Sequence, residues 1–263
     1  YGMTDWTSTP SLAGCDEKWV ENLTGLLSNH NWSETLQPIV GKLKSGERLT
    51  IADGHILYSH KSLHEVGQLA SLVKLARFGN KVFFNSNVHI NQTNICVLAC
   101  KFCAFRRSKK QSDSYELSID GYLDEIEKYA DVTDEVHSVG GLHPDWDVDF
   151  YENLISSAKA KFPEISIKAL TAVEIKHLSN QSNISFTETL TRLKNAGLDS
   201  LPGGGAEILN DGVREIICNG KESSEEYLQI HREAHALDIP SNSTMLFGTI
   251  EDVHDRLIHM DKL

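Results

Sequence analysis

The chain has 263 residues, 40% of them apolar, and its 25 basic against 37 acidic side chains leave a formal charge of -12. A surface this negative repels polyanions, which argues against non-specific nucleic-acid binding. No run approaches the ~20 consecutive apolar residues of a membrane span, and "YGMTDWTSTPSLAGCDEKW" lacks the layout of an export signal, so a soluble, cytoplasmic protein without membrane contact is expected.

Residues 1–80 read as a helical N-terminal domain and residues 81–263 as a second domain. Thr50 before "IADG" and Ser62 with Glu65 three positions on mark two helix starts, the second in capping-box form. Leu63, Val66, Leu69, Val73 and Ala76 then recur at helical spacing and predict one buried stripe, which Gly79 ends. From "VFFNSNVHI" onward, short β-branched or apolar runs alternate with amphipathic segments. Strands are predicted at 86–91, 135–139, 165–170, 198–201 and 241–247, and helices near 119–130, 149–161, 185–196, 223–237 and 251–261. The first of these helices starts from a Ser118 cap and carries Ile119, Tyr122, Leu123 and Ile126 on one face. His137, in "EVHSV", is read as a strand residue pointing into a barrel or sheet, with no chemistry assigned.

Five βα units in succession predict an α/β fold, barrel-like or doubly wound, with the chemistry at the C-terminal ends of the strands. The unusual segments obey that rule. "NICVLACKFCAF" follows the first strand, "GGLHP" the second, "TAVE" the third and "PGGGAE" the fourth. The basic cluster Arg106, Arg107, Lys109 and Lys110 after the cysteines reads as a solvated loop.

Cys96, Cys100 and Cys103 hold three of the chain's five cysteines within eight positions. On a helix they would form a buried small-residue stripe. As thiolates they are a metal-ligand pattern, which a zinc ion would close with a distant fourth ligand and a four-iron cluster would leave with one iron open. A non-catalytic, zinc-stabilised α/β binding module is therefore one reading. Cys15 and Cys218 have no neighbouring cysteine and read as incidental thiols. "PGGGAE" lacks both the P-loop ending and the GxGxxG pattern.

The CxxxCxxC spacing, with Phe102 just before its last cysteine, resembles the radical S-adenosylmethionine superfamily. "INQTNICVLACKFCAF", "VGGLHP", "IKALTAVEI", "LDSLPGGGAEIL" and "IPSNSTMLFG" together resemble its menaquinone-pathway branch, which holds the aminofutalosine synthase, dehypoxanthine futalosine cyclase and deazaflavin-forming synthase families. "GGLHP" followed by "TAVEI" is most similar to the aminofutalosine synthase family.

The resemblance implies a partial TIM-type βα barrel and a 4Fe-4S cluster on Cys96, Cys100 and Cys103 whose open iron takes S-adenosylmethionine. It places Phe102, Gly140, Gly141, Thr171, Glu174, Gly203 and Gly204 in the cofactor pocket, with Thr171 and Glu174 near the ribose, and makes His143 and Glu207 the catalytic polar groups. Leu142 stands where the superfamily often has Glu after the glycine pair. The implied reaction adds the 5'-deoxyadenosyl group to the enol ether carbon of 3-[(1-carboxyvinyl)oxy]benzoate. Aryl migration and loss of bicarbonate then give 6-amino-6-deoxyfutalosine, with flavodoxin or ferredoxin as the electron donor. Against that family's barrel, the chain reads as a fragment that begins at Tyr1 and stops inside the helix after the fifth strand.

Overall fold

The computed structural model describes residues 14–263, so the first 13 residues of the expected helical domain lie outside the described residues. The chain divides into two compact units, Tyr1–Phe84 with Asp252–Asp261, and Asn85–Glu251 with Lys262–Leu263. The sequence reading kept all of 81–263 in one domain.

The first unit is built from helices α1 (Trp19–Ser28), α2 (Gln37–Ser45), α3 (Ile51–Ser59) and α4 (Leu63–Phe78), together with most of the last helix of the chain, within Asp252–Asp261. Thr50 and Asp53 cap α3 reciprocally, as a capping box requires. Ser62 accepts from the Glu65 N–H at the start of α4, but Glu65 turns its carboxylate to the Ser33 N–H instead, so only half of the expected box forms. The buried stripe of α4 is Leu69, Leu72 and Ala76. Val66 and Val73 are half-buried, and Leu63, in the first turn of the helix, is 82% exposed. Leu23, Leu27, Leu36 and Ile39 fill the interior of this unit.

The second unit opens with β1 (Asn87–His89), then α5 (Ile119–Glu127), β2 (Glu135–Ser138), α6 (Val148–Lys161), β3 (Ser166–Ala169), α7 (Ala172–Ser182) and α8 (Phe186–Ala196). α9 (Asp211–Ile217) and α10 (Ser224–Ala236) complete its helices, while α11 (Val253–Lys262), which ends the chain, belongs to the first unit up to Asp261. The three strands are parallel in the order β1-β2-β3. The predicted fourth and fifth strands are reduced to single parallel bridges, Lys168 to Ser200 and Leu201 to Ser241, which carry the sheet onward without a regular ladder.

Val136 and Ile167 are buried among Tyr122, Ile126, Leu154 and Ile155 of α5 and α6. That face of the sheet is therefore covered by helices, as right-handed βα crossovers dictate, and the residues between them point to the opposite face. Ser118 caps α5 as expected, with Tyr122 and Ile126 buried and Ile119 and Leu123 partly so. Helices α7 and α9 were not predicted. Among the described residues no helix is long and apolar enough to cross a membrane.

Candidate functional site: the cysteine loop at the strand ends

The cysteine-bearing segment leaves β1 and is held by backbone hydrogen bonds from three directions. Gly141 N–H donates to Thr93 O (2.9 Å) and Val97 N–H to Leu142 O (3.0 Å), which ties the loop to the "GGLHP" segment after β2. Cys96 N–H donates to Arg107 O (3.0 Å), closing the loop on itself. Lys101 N–H donates to Ile217 O (2.8 Å), fastening the middle of the loop to the end of α9.

The glycine pair serves this seating. A Cβ on Gly141 would lie 2.1 Å from Ile95 O and 3.0 Å from Cys96 Cβ, and one on Gly140 would lie 2.6 Å from Gln92 Nε2. Only a residue without a side chain lets the two segments approach this closely.

Behind the pair, Glu174 is buried and accepts from four donors: Gly140 N–H (3.0 Å), Gln92 Nε2 (3.3 Å), Thr171 N–H (2.8 Å) and Thr171 Oγ1 (2.7 Å). Burial drives its pKa up, and these donors oppose the rise only in part. Thr171 and Glu174 thus belong to the capping arrangement of α7, and their polar atoms are turned on each other and on Gly140 rather than on an open pocket. Leu170, just before this cap, has φ +63, a costly conformation for a bulky residue, and it turns the chain from β3 into α7.

His143 is 2% exposed. Its Nε2 and Glu116 Oε2 lie 2.7 Å apart, its Nδ1 accepts from the Asp145 N–H (3.2 Å), and its ring stacks on Trp146 at 4.3 Å. Both ring nitrogens are therefore engaged.

On the other side of the loop, the "PGGGAE" segment is wired by Arg214 of α9, which donates to Gly205 O (3.0 Å), Ala206 O (2.5 Å) and the Glu222 carboxylate (3.0 Å). A Cβ on Gly203 would meet Asn242 O at 2.3 Å, and one on Gly204 would meet Thr171 Cγ2 at 3.0 Å. Gly205 (φ +91) and Glu207 (φ +44) carry the turn that brings Glu207 to Lys221, whose Nζ donates to Glu207 Oε1 at 2.6 Å.

The same ammonium lies 5.6 Å from the centroid of the Phe102 ring. Cys100 packs against the small cluster of Ile208, Val213, Ile217 and Cys218. Burial pushes the Cys100 thiol up, Lys221 pulls it down, and Cys96, Cys103 and Glu207 push it further up. Cys96 and Cys103 thus lie close enough to Cys100 to disfavour its thiolate. All three are free and half-buried, and a set of neighbouring soft sulfur donors suits an iron-sulfur cluster. Among the described residues no group of three His, Cys, Asp or Glu forms a single-ion site.

All four strand-end segments singled out in the sequence therefore meet: "GGLHP" against the cysteine loop, "TAVE" against Gly140, and "PGGGAE" against both Thr171 and Lys221. Gln92, Glu116, Cys218 and Lys221 escaped sequence reasoning as members of this assembly. The only local signal for Lys221 was its position in the turn after α9, three residues beyond Cys218. The basic cluster is in part paired, Arg107 with Asp113 and Lys109 with Asp145, both at 2.6 Å, rather than simply solvated.

The solved structure of methylornithine synthase superposes with a TM-score of 0.67 over 84% of this chain and 62% of that one, at 19% identity, a likeness that concerns the fold. Aminodeoxyfutalosine synthase of Thermus thermophilus is 42% identical over 229 residues, covering 87% of this chain and 62% of that protein. Cyclic dehypoxanthine futalosine synthase of Streptomyces coelicolor is 36% identical over 230 residues, covering 86% of this chain and 58% of that protein. The chain thus spans about three fifths of the length of these relatives. A profile described as the Radical SAM superfamily matches residues 90–263, from the end of β1 through the cysteine loop and every strand-end segment described above, and on that match the chain belongs to the radical SAM superfamily, with an α/β fold of TIM-barrel type.

Proposed function

We propose that the chain carries the aminofutalosine synthase activity. It transfers the 5'-deoxyadenosyl group of S-adenosylmethionine to the enolpyruvyl ether of 3-hydroxybenzoate and, with loss of bicarbonate, forms 6-amino-6-deoxyfutalosine for menaquinone biosynthesis. The observation that supports the synthase over its cyclase sibling is the higher identity to the former, 42% against 36% over nearly the same span.

Cys96, Cys100 and Cys103 would hold the 4Fe-4S cluster, which supplies one electron for cleavage of the sulfonium when bound; a flavodoxin- or ferredoxin-type protein delivers that electron. The chain's own groups do the rest. Gly140 and Gly141 seat the loop, and Thr171 and Glu174 fix the strand end behind it. Gly203 and Gly204 form a close-packed wall with backbone facing the site. Lys221, held by Glu207, sets positive charge beside Cys100 and Phe102. In this reading His143 and Glu207 are positioning groups, because both ring nitrogens of His143 and the Oε1 of Glu207 already have protein partners.

Anaerobic incubation of the reconstituted protein with dithionite, S-adenosylmethionine and the enolpyruvyl ether tests the reading by mass spectrometry. The expected product is 6-amino-6-deoxyfutalosine. Release of 5'-deoxyadenosine with the ether left intact would count against it.

A further inference from the structure

The face of the sheet turned away from the helices carries a row of side chains unusual for such a position. In register across the strands stand His89 of β1, His137 of β2 and Lys168 of β3, and the bridge beyond β3 adds Ser200. Barrel interiors are ordinarily filled by bulky branched residues. Here the branched residues Val136 and Ile167 face the helices, and the opposite row is nitrogenous, with His89 exposed and His137 and Lys168 half-buried.

The rings of His89 and His137 stack with centroids 4.9 Å apart and planes inclined by 24°. None of the ion pairs among the described residues involves His89, His137 or Lys168. Lys168 is half-buried, and its side chain has no hydrogen-bonding partner among the described residues. The nearest acid on this face by register is Glu135, one layer toward the N-terminal ends of the strands, between Asn87 and Ser166. It makes no ion pair with the row, and its Oε1 is buried without a partner.

Lys168 thus brings to this face a positive charge that no carboxylate of the described residues pairs with, and a carboxylate ligand would complement it. Burial, His89 and Lys168 together hold His137 below its ordinary pKa, so near neutrality the ring offers a hydrogen bond without adding a second full charge. We infer that His89, His137 and Lys168 form a carboxylate seat on the inner face of the sheet: Lys168 pairs with the acid group of a small aromatic acid, and the stacked imidazoles flank it. The identity of that acid, the enolpyruvyl benzoate, rests on the proposed synthase reading; the seat itself rests on the row.

The test is equilibrium binding by calorimetry to the anaerobic, reconstituted protein without reductant, with two probes, the enolpyruvyl benzoate and the unreactive dicarboxylate isophthalate. Lys168→Met is expected to weaken both at least about tenfold, the scale of one charge-assisted hydrogen bond, with iron content and S-adenosylmethionine affinity unchanged. Lys168→Arg is expected to recover most of the loss. If Lys168→Met does not fold, Ser200→Asp, which places a negative charge next in register, is expected to weaken both probes as well.

Equal affinity of the wild-type and variant proteins for both acids overturns the seat, as does failure of both acids to bind the wild-type protein. Binding of isophthalate alone, dependent on Lys168, upholds the seat and sinks the synthase reading. Turnover of the enolpyruvyl ether with no dependence on Lys168 does the reverse.

Discussion

His231 shows how one buried group sets a measurable property. Its Nδ1 meets Ser241 Oγ at 2.8 Å, its Nε2 is buried with no partner among the described residues, and Tyr227 leans on the ring at 4.4 Å. Burial, with a smaller contribution from His235, holds its pKa at about 4 against an ordinary 6.5. The folded protein therefore binds this proton less readily than the unfolded chain does, and the stability linked to His231 is complete above pH 6.5 and lost as pH falls toward 4. Wild-type stability relative to His231→Gln, from urea unfolding, is expected to drop by about 2 kcal/mol between pH 7 and pH 4.5, from 1.36 kcal/mol per unit; a difference that stays constant with pH contradicts the assignment. At this scale the sequence revealed residues with a local signature and concealed those without one. The cysteine spacing and the caps at Thr50 and Ser118 could be read directly. Lys221 and Gln92 could not, because each reaches its partners, Glu207 and Glu174, only once distant segments have folded together.

Helices and strands were legible where periodicity was strong. β1 to β3 lie inside their predicted ranges, and α6, α8 and α10 match within a residue or so of each end. α7 was missed although "TAVE" carries a capping box, because the segment was interpreted as a strand-end loop and its mixed polar sequence gave no clear stripe. α9 is only seven residues long, too short for a periodic signal. Leu63 obeyed the period but lies in the exposed first turn, a reminder that period marks a face while tertiary contact decides burial. The close approach of the β2 end to the cysteine loop at Gly141 gives a sharp expectation. In Gly141→Ala the new methyl would meet Ile95 O at 2.1 Å, so the loop must shift. Iron bound per chain after reconstitution is expected to fall at least several-fold while far-UV circular dichroism is retained, and full iron loading would show that the loop does not depend on this contact.

As a whole, the molecule is two units with separate interiors, one helical around Leu23 and Leu27, one α/β around Ile155, Ile167 and Leu201. The α/β class and the placing of unusual segments at strand ends followed from the alternation of strands and helices. The irregular bridges at Ser200 and Ser241 did not, since "LDSL" and "SNSTMLF" hold a single β-branched residue, Thr244, and a short apolar segment says nothing about whether a ladder forms. What unites the second unit is the gathering of four strand-end segments around three free thiols, and the functional reading stands on those thiols holding a cluster with one open iron. The most direct measurement is electron paramagnetic resonance of the reconstituted, dithionite-reduced protein before and after S-adenosylmethionine is added. The expected result is a 4Fe-4S signal whose g-values change on addition and which is absent in Cys100→Ala; a signal indifferent to S-adenosylmethionine, or undiminished in the variant, would contradict it.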